Sequence, residues 1–146
     1  MIRLAPITED NFRAVIDMKL PPEPRFVAPN VVSLAQAWLY HDHAKPFAVC
    51  DGDVVVGFLM LFWNEEKSEA GLWRLMIAPE HQGKGFGTQA VRLAVDMARS
   101  SGIFDAIHVD YVPGNETARH IYAQLGFAET GVIDDGEIEM KLNFKE

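Results

Sequence analysis

The sequence predicts an α/β (α+β) domain: a mixed, mostly antiparallel sheet of about seven strands with helices on both faces. Three observations carry this. Segments with strand character outnumber those with helical character. The two kinds alternate only partly, which argues against a regular parallel array. A glycine-rich turn joins a central strand directly to the longest helical pattern, so a strand-loop-helix unit sits mid-chain. At 146 residues the expectation is one domain, 1–146, large enough to bury a core without disulfides or metal.

Taken in order, Arg3 to Ile7 suits a first strand. Thr8 is placed to cap a helix whose Phe12, Val15, Ile16 and Leu20 share one face. Pro21-Pro22-Glu23-Pro24 reads as a loop, after which Asn30 or Ser33 caps a second helix carrying Leu34, Ala37 and Trp38. Phe47 to Cys50, the turn Asp51-Gly52-Asp53 and Val54 to Trp63 form a hairpin, and Leu72 to Ile77 is the next strand. Beyond the glycines, Ala90, Leu93, Ala94 and Met97 mark the apolar face of a helix that ends near Gly102. Ile107 to Tyr111 alternates as a strand, Asn115 to Leu125 is helical up to Gly126, and two last strands flank Asp134-Asp135-Gly136.

Composition narrows the function. Half the residues (49%) are apolar and 23% are charged, as in globular proteins. The longest apolar run, Val54 to Trp63, is interrupted by Gly57 and is far shorter than the roughly 20 residues of a membrane span. No signal-peptide pattern opens the chain and Cys50 stands alone, so the expected location is cytoplasmic, with no membrane partner. The net charge of −8 opposes nucleic-acid binding and suits cationic partners. Acidic residues gather in two connections: Glu65, Glu66 and Glu69, then Asp134, Asp135, Glu137 and Glu139.

Chemistry concentrates at Glu80-His81-Gln82-Gly83-Lys84-Gly85-Phe86-Gly87, where three glycines end a strand and open a helix. Such a turn exposes backbone N–H groups with no Cβ in the way, and the helix terminus adds about half a positive charge; a diphosphate is the natural ligand. The segment is neither a P-loop, which needs glycine where Ala78 stands, nor a dinucleotide fingerprint, whose glycine spacing is wider. It resembles the signature of the GNAT superfamily of N-acetyltransferases: Gln or Arg, two residues, Gly, one residue, Gly or Ala. Gln82, Gly85 and Gly87 fill those places, and Leu75-Met76-Ile77-Ala78-Pro79-Glu80 resembles the strand that leads in. A second pattern, Asn115, Ala118, Tyr122 and Gly126-Phe127, is also similar to the family's.

The resemblance, close from Leu72 to Phe127 and looser before, implies a GNAT-type sheet with a central splayed strand pair. It further implies acetyl-coenzyme A as cosubstrate in the resulting cleft. On that basis Leu75, Met76 and Ile77 offer unpaired backbone groups to the pantetheine arm. Gln82, Gly83, Lys84, Gly85, Phe86 and Gly87 hold the diphosphate, with Lys84 at the rim, and Asn115 steadies the arm near the thioester. A strand N–H near Ile77 stabilises the oxyanion, and Tyr122 is the catalytic general acid beside the sulfur. The base stays open among Asp110, Glu65, Glu66 and Glu69. No metal is expected: His41 and His43 lack further ligands. Cys50 reads as a core residue. Trp73-Arg74-Leu75-Met76-Ile77 with Gln82-Gly83-Lys84-Gly85 is most similar to the small bacterial polyamine acetyltransferases of the spermidine/spermine type. The implied acceptor is a small-molecule amine such as spermidine or spermine. The alternatives are a protein N-terminus or lysine, an aminoglycoside, or a non-catalytic acetyl-coenzyme A sensor. Homodimerisation is left open.

Overall fold

The structure, a computed structural model, describes residues 1–20 and 28–145. The expected loop at Pro21-Pro22-Glu23-Pro24 lies outside the described residues. Seven strands form one sheet in the order β1-β2-β3-β4-β5-β7-β6. They are β1 (Ile2–Pro6), β2 (Ala44–Asp51), β3 (Val54–Asn64), β4 (Glu69–Ile77), β5 (Ala106–Tyr111), β6 (Ala128–Asp134) and β7 (Glu137–Asn143). Neighbours are antiparallel except β4 and β5, which run parallel.

That parallel pair makes the functional geometry. Its ladder holds only at Gly71↔His108 and Leu72↔Val109; beyond those residues the two strands part. The β3–β4 register also shifts, with Leu61 facing Leu72 but Met60 facing Arg74, so Trp73 is an extra residue without a partner. A bulge of this kind bends the strand and re-aims its side chains.

Among the described residues four α-helices, α1 (Phe12–Ile16), α2 (Asn30–Leu39), α3 (Phe86–Ser100) and α4 (Glu116–Gln124), cover the two faces. One core joins Val91, Ala94, Ala98 and Tyr122 of α3 and α4 to Leu59, Leu61, Ile107 and Val109 of the sheet. The other places Val15 and Ala37 against Ala48, Phe58 and Met60. Helix α3 buries Gly87, Ala90, Val91, Ala94, Val95 and Ala98. Its buried face is thus centred on small residues that let the helix approach the sheet, and Leu93 and Met97, expected at the centre, pack at its edge.

The first two helices depart from expectation. Thr8 does not cap α1: its N–H donates to Asn11 Oδ1 (2.8 Å), and the Asn11 amide donates to the Pro6 carbonyl (2.9 Å). The helix is a bare five residues, buries only Val15, and stops before Leu20. In α2 the buried face is Asn30, Ser33 and Ala37, and neither Asn30 nor Ser33 caps. The Asn30 amide instead donates to the Val15 carbonyl at 3.0 Å, linking the two helices. With that face turned inward, Trp38 sits one residue further round and is 78% exposed.

Candidate active site

The parting of β4 from β5 opens a cleft of about 940 Å³ that runs up to the N-terminus of α3 and the side of α4. Its first wall is the upper part of β4. The Ala78 N–H donates to the Val56 carbonyl of the strand on the other side (2.9 Å). Backbone groups alternate along a strand, so Met76 also turns toward β3. Leu75 therefore presents its N–H and C=O groups to the cleft and Ile77 its N–H, the Ile77 carbonyl accepting from the Gln82 side-chain amide (2.9 Å), whereas the backbone of Met76, expected to be free, is committed to β3 as the partner of Phe58. Met76, Leu75 and Ile77 all line the cleft.

At the end of β4 the chain makes a single 3₁₀ turn, Pro79–His81, and enters the glycine loop. Gly83 and Gly85 both take φ +80°, a left-handed conformation that L side chains rarely adopt, and Gly85 occupies the position just before α3. The first backbone bond at that end is Gln89 N–H to the Gly85 carbonyl (3.2 Å). The N–H groups of Phe86, Gly87 and Thr88 accordingly have no partner in the preceding turn and point along the helix axis. At Gly87 a Cβ would come 3.2 Å from Ile121 Cδ1, so even a methyl group there would require the end of the Ile121 side chain to give way. Gln82, Gly83, Gly85, Phe86 and Gly87 line the cleft; Lys84 stays outside that lining, its Nζ 5.9 Å from the Phe86 ring centroid.

The opposite wall comes from α4. Asn115 lines the cleft and is the N-cap of that helix, its Oδ1 accepting from the Ala118 N–H at 3.2 Å. The cap leaves its side-chain NH₂ as the group with spare hydrogen-bonding capacity. Tyr122 also lines the cleft, 5% exposed, with its ring 5.8 Å from that of Phe127. Burial holds its phenol above the ordinary value, so the proton is retained.

Of the four carboxylates considered as base, only Asp110 reaches the cleft lining; Glu65, Glu66 and Glu69 lie in and beside the β3–β4 turn. The Asp110 carboxyl, exposed on one side, is raised first by partial desolvation and then by Glu137, Glu139 and Asp134, with His108 pulling the other way. Two charged residues that sequence reasoning had not placed in the site also line it: Arg74 and Glu137. The Arg74 guanidinium donates to Gln36 Oε1 (3.0 Å) and to the Trp73 carbonyl (3.1 Å), while burial lowers its pKa against the pull of Glu137. Arg74 was visible as the charge in an otherwise apolar strand. Glu137 belonged to a recognised acidic cluster, but it reaches the cleft only because the next residue, Ile138, pairs with Tyr111 of β5.

Cys50 is buried and its thiol is raised by burial, as befits a core residue. His41 bonds the Trp38 carbonyl (3.0 Å), and no metal-holding group of His, Cys, Asp or Glu occurs among the described residues. No described helix is long and apolar enough to cross a membrane.

A strand edge left open beside a helix N-terminus, approached by a glycine loop, suits a long ligand with amides in its middle and phosphates at one end. The model of the acetyltransferase (GNAT) family matches residues 10–127. The chain belongs to the GNAT acetyltransferase family. Among its relatives, the spermidine N(1)-acetyltransferase of Escherichia coli K12 is 33% identical over 95 residues, covering 64% of this chain and 50% of that protein. The spermine/spermidine N(1)-acetyltransferase of Bacillus subtilis strain 168 is 25% identical over 140 residues, 91% of each chain. The chain thus spans about half the length of the Escherichia coli relative it matches. The GNAT fold is shared with spermidine N-acetyltransferase from Vibrio cholerae, solved with CoA and spermine: TM-score 0.76, 21% identity, covering 97% of this chain and 95% of that one. It is shared equally with an aminoglycoside acetyltransferase in complex with coenzyme A, at TM-score 0.80 and 19% identity over 98% and 95% of the two chains.

Proposed function

We propose that this chain is an acetyl-coenzyme A-dependent N-acetyltransferase whose acceptor is a small primary amine, a polyamine such as spermidine or spermine. The observation that carries the reading is the alignment of three features along one cleft: the free edge of β4 at Leu75 and Ile77, the N–H groups of the Gln82–Gly87 loop, and Tyr122 facing them from α4. The polyamine acceptor is supported by relatives named for spermidine and spermine, and by the acidic groups Asp110 and Glu137 at the mouth.

The residues present fit acetyl-coenzyme A. Gly83 and Gly85 keep the loop clear of side chains, so its N–H groups and the N-terminus of α3 can meet a diphosphate. Leu75 can pair with the amides of the pantetheine arm as an added strand would, and Asn115 holds the arm through its side-chain amide. When bound, acetyl-coenzyme A supplies an acyl group activated as a thioester. The Ile77 N–H, fixed in the strand, faces the place where negative charge develops on the carbonyl oxygen. Tyr122, kept protonated by burial, donates to the departing sulfur. A further contribution is exclusion of water: the Tyr122 ring and the apolar walls of Ile77 and Ile121 enclose the inner end. The test is the product: spermidine incubated with acetyl-coenzyme A and this protein should gain one acetyl group by mass spectrometry, and absence of any acetylated amine would reject the reading.

A further inference from the structure

On the same seam as the main cleft lies a second depression of about 250 Å³, floored by Gly71 and bounded by Phe62, Trp73, His108, Asp110 and Glu139. It shares Leu72, Trp73 and Asp110 with the main cleft, so the two adjoin at the point where β4 leaves β5. Asp110 is the only ionisable side chain common to both, among the described residues. It stands at the waist.

The two sides of the side groove differ in chemistry. One is aromatic: the Phe62 and Trp73 rings meet edge to face at 6.4 Å, and Tyr40 continues the row 6.0 Å from Trp73. The bulge at Trp73 turns this ring out of the strict β4 alternation. The other side is anionic: Asp110 lies directly opposite Glu139 in the β5–β7 ladder, an arrangement of like charges that costs stability unless a cation is shared. Glu139 has the Thr130 hydroxyl (2.8 Å) and the nearby His108 ring (3.8 Å), but Asp110 makes no ion pair among the described residues. His108 Nδ1 is enclosed and lacks a hydrogen-bond partner. The floor is open because Gly71 has no side chain; a Cβ there would meet the His108 carbonyl at 3.5 Å and Phe62 Cβ at 3.8 Å, ordinary contacts that leave room for a methyl group.

Methylenes against aromatic rings and an ammonium between carboxylates are what an alkyl chain with a second charge requires. Resting on the acetyl-transfer reading above, we propose that the side groove receives the trailing segment of the acceptor, and that Asp110 is the specificity-determining residue that holds its second cationic centre. The reacting nitrogen then lies in the main cleft on the Tyr122 side, and the chain crosses the waist beside Trp73. Selectivity for a diamine over a monoamine arises at Asp110, with Glu139 in support.

The experiment compares putrescine with butylamine, which differ by one amino group. In the wild type putrescine should be preferred in kcat/KM. Asp110→Asn and Glu139→Gln, both close in shape to the original, should each lower that preference, Asp110→Asn by roughly tenfold or more, the scale of one charge-assisted contact. The loss should appear in KM for putrescine rather than in kcat. Putrescine binding to the coenzyme A-loaded protein is measured by calorimetry in parallel and should weaken by the same factor. An unchanged preference and unchanged putrescine affinity in Asp110→Asn would overturn the proposal. If putrescine binds and loses affinity in Asp110→Asn while no amine is acetylated, the groove assignment stands and the acetyl-transfer reading falls.

Discussion

The side-chain amide of Gln82 donates to the Ile77 carbonyl at 2.9 Å, closing the glycine loop back onto the end of β4. Gln82 therefore fixes the loop against the strand edge, so that the loop donors and the strand-edge donors proposed to meet the cosubstrate keep one geometry. Gln82→Ala should weaken coenzyme A binding about three- to tenfold, the size of one net hydrogen bond, when measured by calorimetry. An unaltered affinity would show that the loop holds its shape without this bond.

Gly85 sits at φ +80° immediately before α3. A β-branched side chain there is strained by roughly 1–2 kcal/mol and stands beside the N–H groups proposed to meet the diphosphate. Gly85→Val should abolish coenzyme A binding while circular dichroism shows the fold retained. Wild-type affinity in a folded Gly85→Val protein would remove this loop from the cofactor site.

Tyr122→Phe deletes one hydroxyl and keeps the ring against Phe127. Turnover should fall by about 10² to 10⁴, the usual range for a general acid, with coenzyme A affinity nearly unchanged. The pH profile follows from burial, which raises the phenol above 10.0. The native group keeps its proton up to and beyond that pH, so rates should climb toward the amine pKa near about 10 with no descending limb from Tyr122 below it. In stability terms, its contribution is intact below pH 10.0 and declines above, where the unfolded phenol ionises and the native one does not. A turnover number unaffected by Tyr122→Phe, with chemistry limiting, would exclude the role.

Asp110 should show opposite effects on stability and on function. Partial desolvation and the carboxylates of Glu137, Glu139 and Asp134 raise it, so the native state gives up the proton less readily than the unfolded chain does. The protein is thus penalised by this residue as the pH rises through its native pKa, and freed of the penalty below the ordinary value of 3.8. Asp110→Asn should raise Tm at pH 7, and the gain should vanish as the pH falls toward 3.8. A lower Tm at pH 7 in the variant would mean that the carboxylate is satisfied by a partner in the folded protein.

Much of the site was legible because its signals are local. Three glycines between a strand and a helix read as a turn clear of side chains, and Gly83 and Gly85 are found there at φ +80°; the helix read from Asn115 to Leu125 is found as α4. The splay of β4 and β5 was implied by resemblance and is borne out by a ladder of two residue pairs. What failed depends on distant partners. Trp38 was expected on the packed side of α2, yet Asn30 and Ser33 occupy it, because the Asn30 amide is anchored to Val15 of another helix. The backbone of Met76 was expected to be free, and its commitment to β3 follows from a register that no single strand encodes. Glu137 reaches the cleft because β7, which begins with it, is paired to β5 from Ile138 onward, and Arg74 is held there by Gln36, 38 residues away in the chain.

Free thiol release from acetyl-coenzyme A, followed across a panel of spermidine, spermine, butylamine, an aminoglycoside and a lysine peptide, tests the central claim most directly. Spermidine or spermine should give the highest kcat/KM, and added salt should raise their KM more than that of butylamine, since exposed carboxylates act over only about 8 Å at physiological ionic strength. Preference for the monoamine, the aminoglycoside or the peptide over both polyamines at every salt concentration would contradict the polyamine assignment, and no thiol release with any amine would contradict the enzyme.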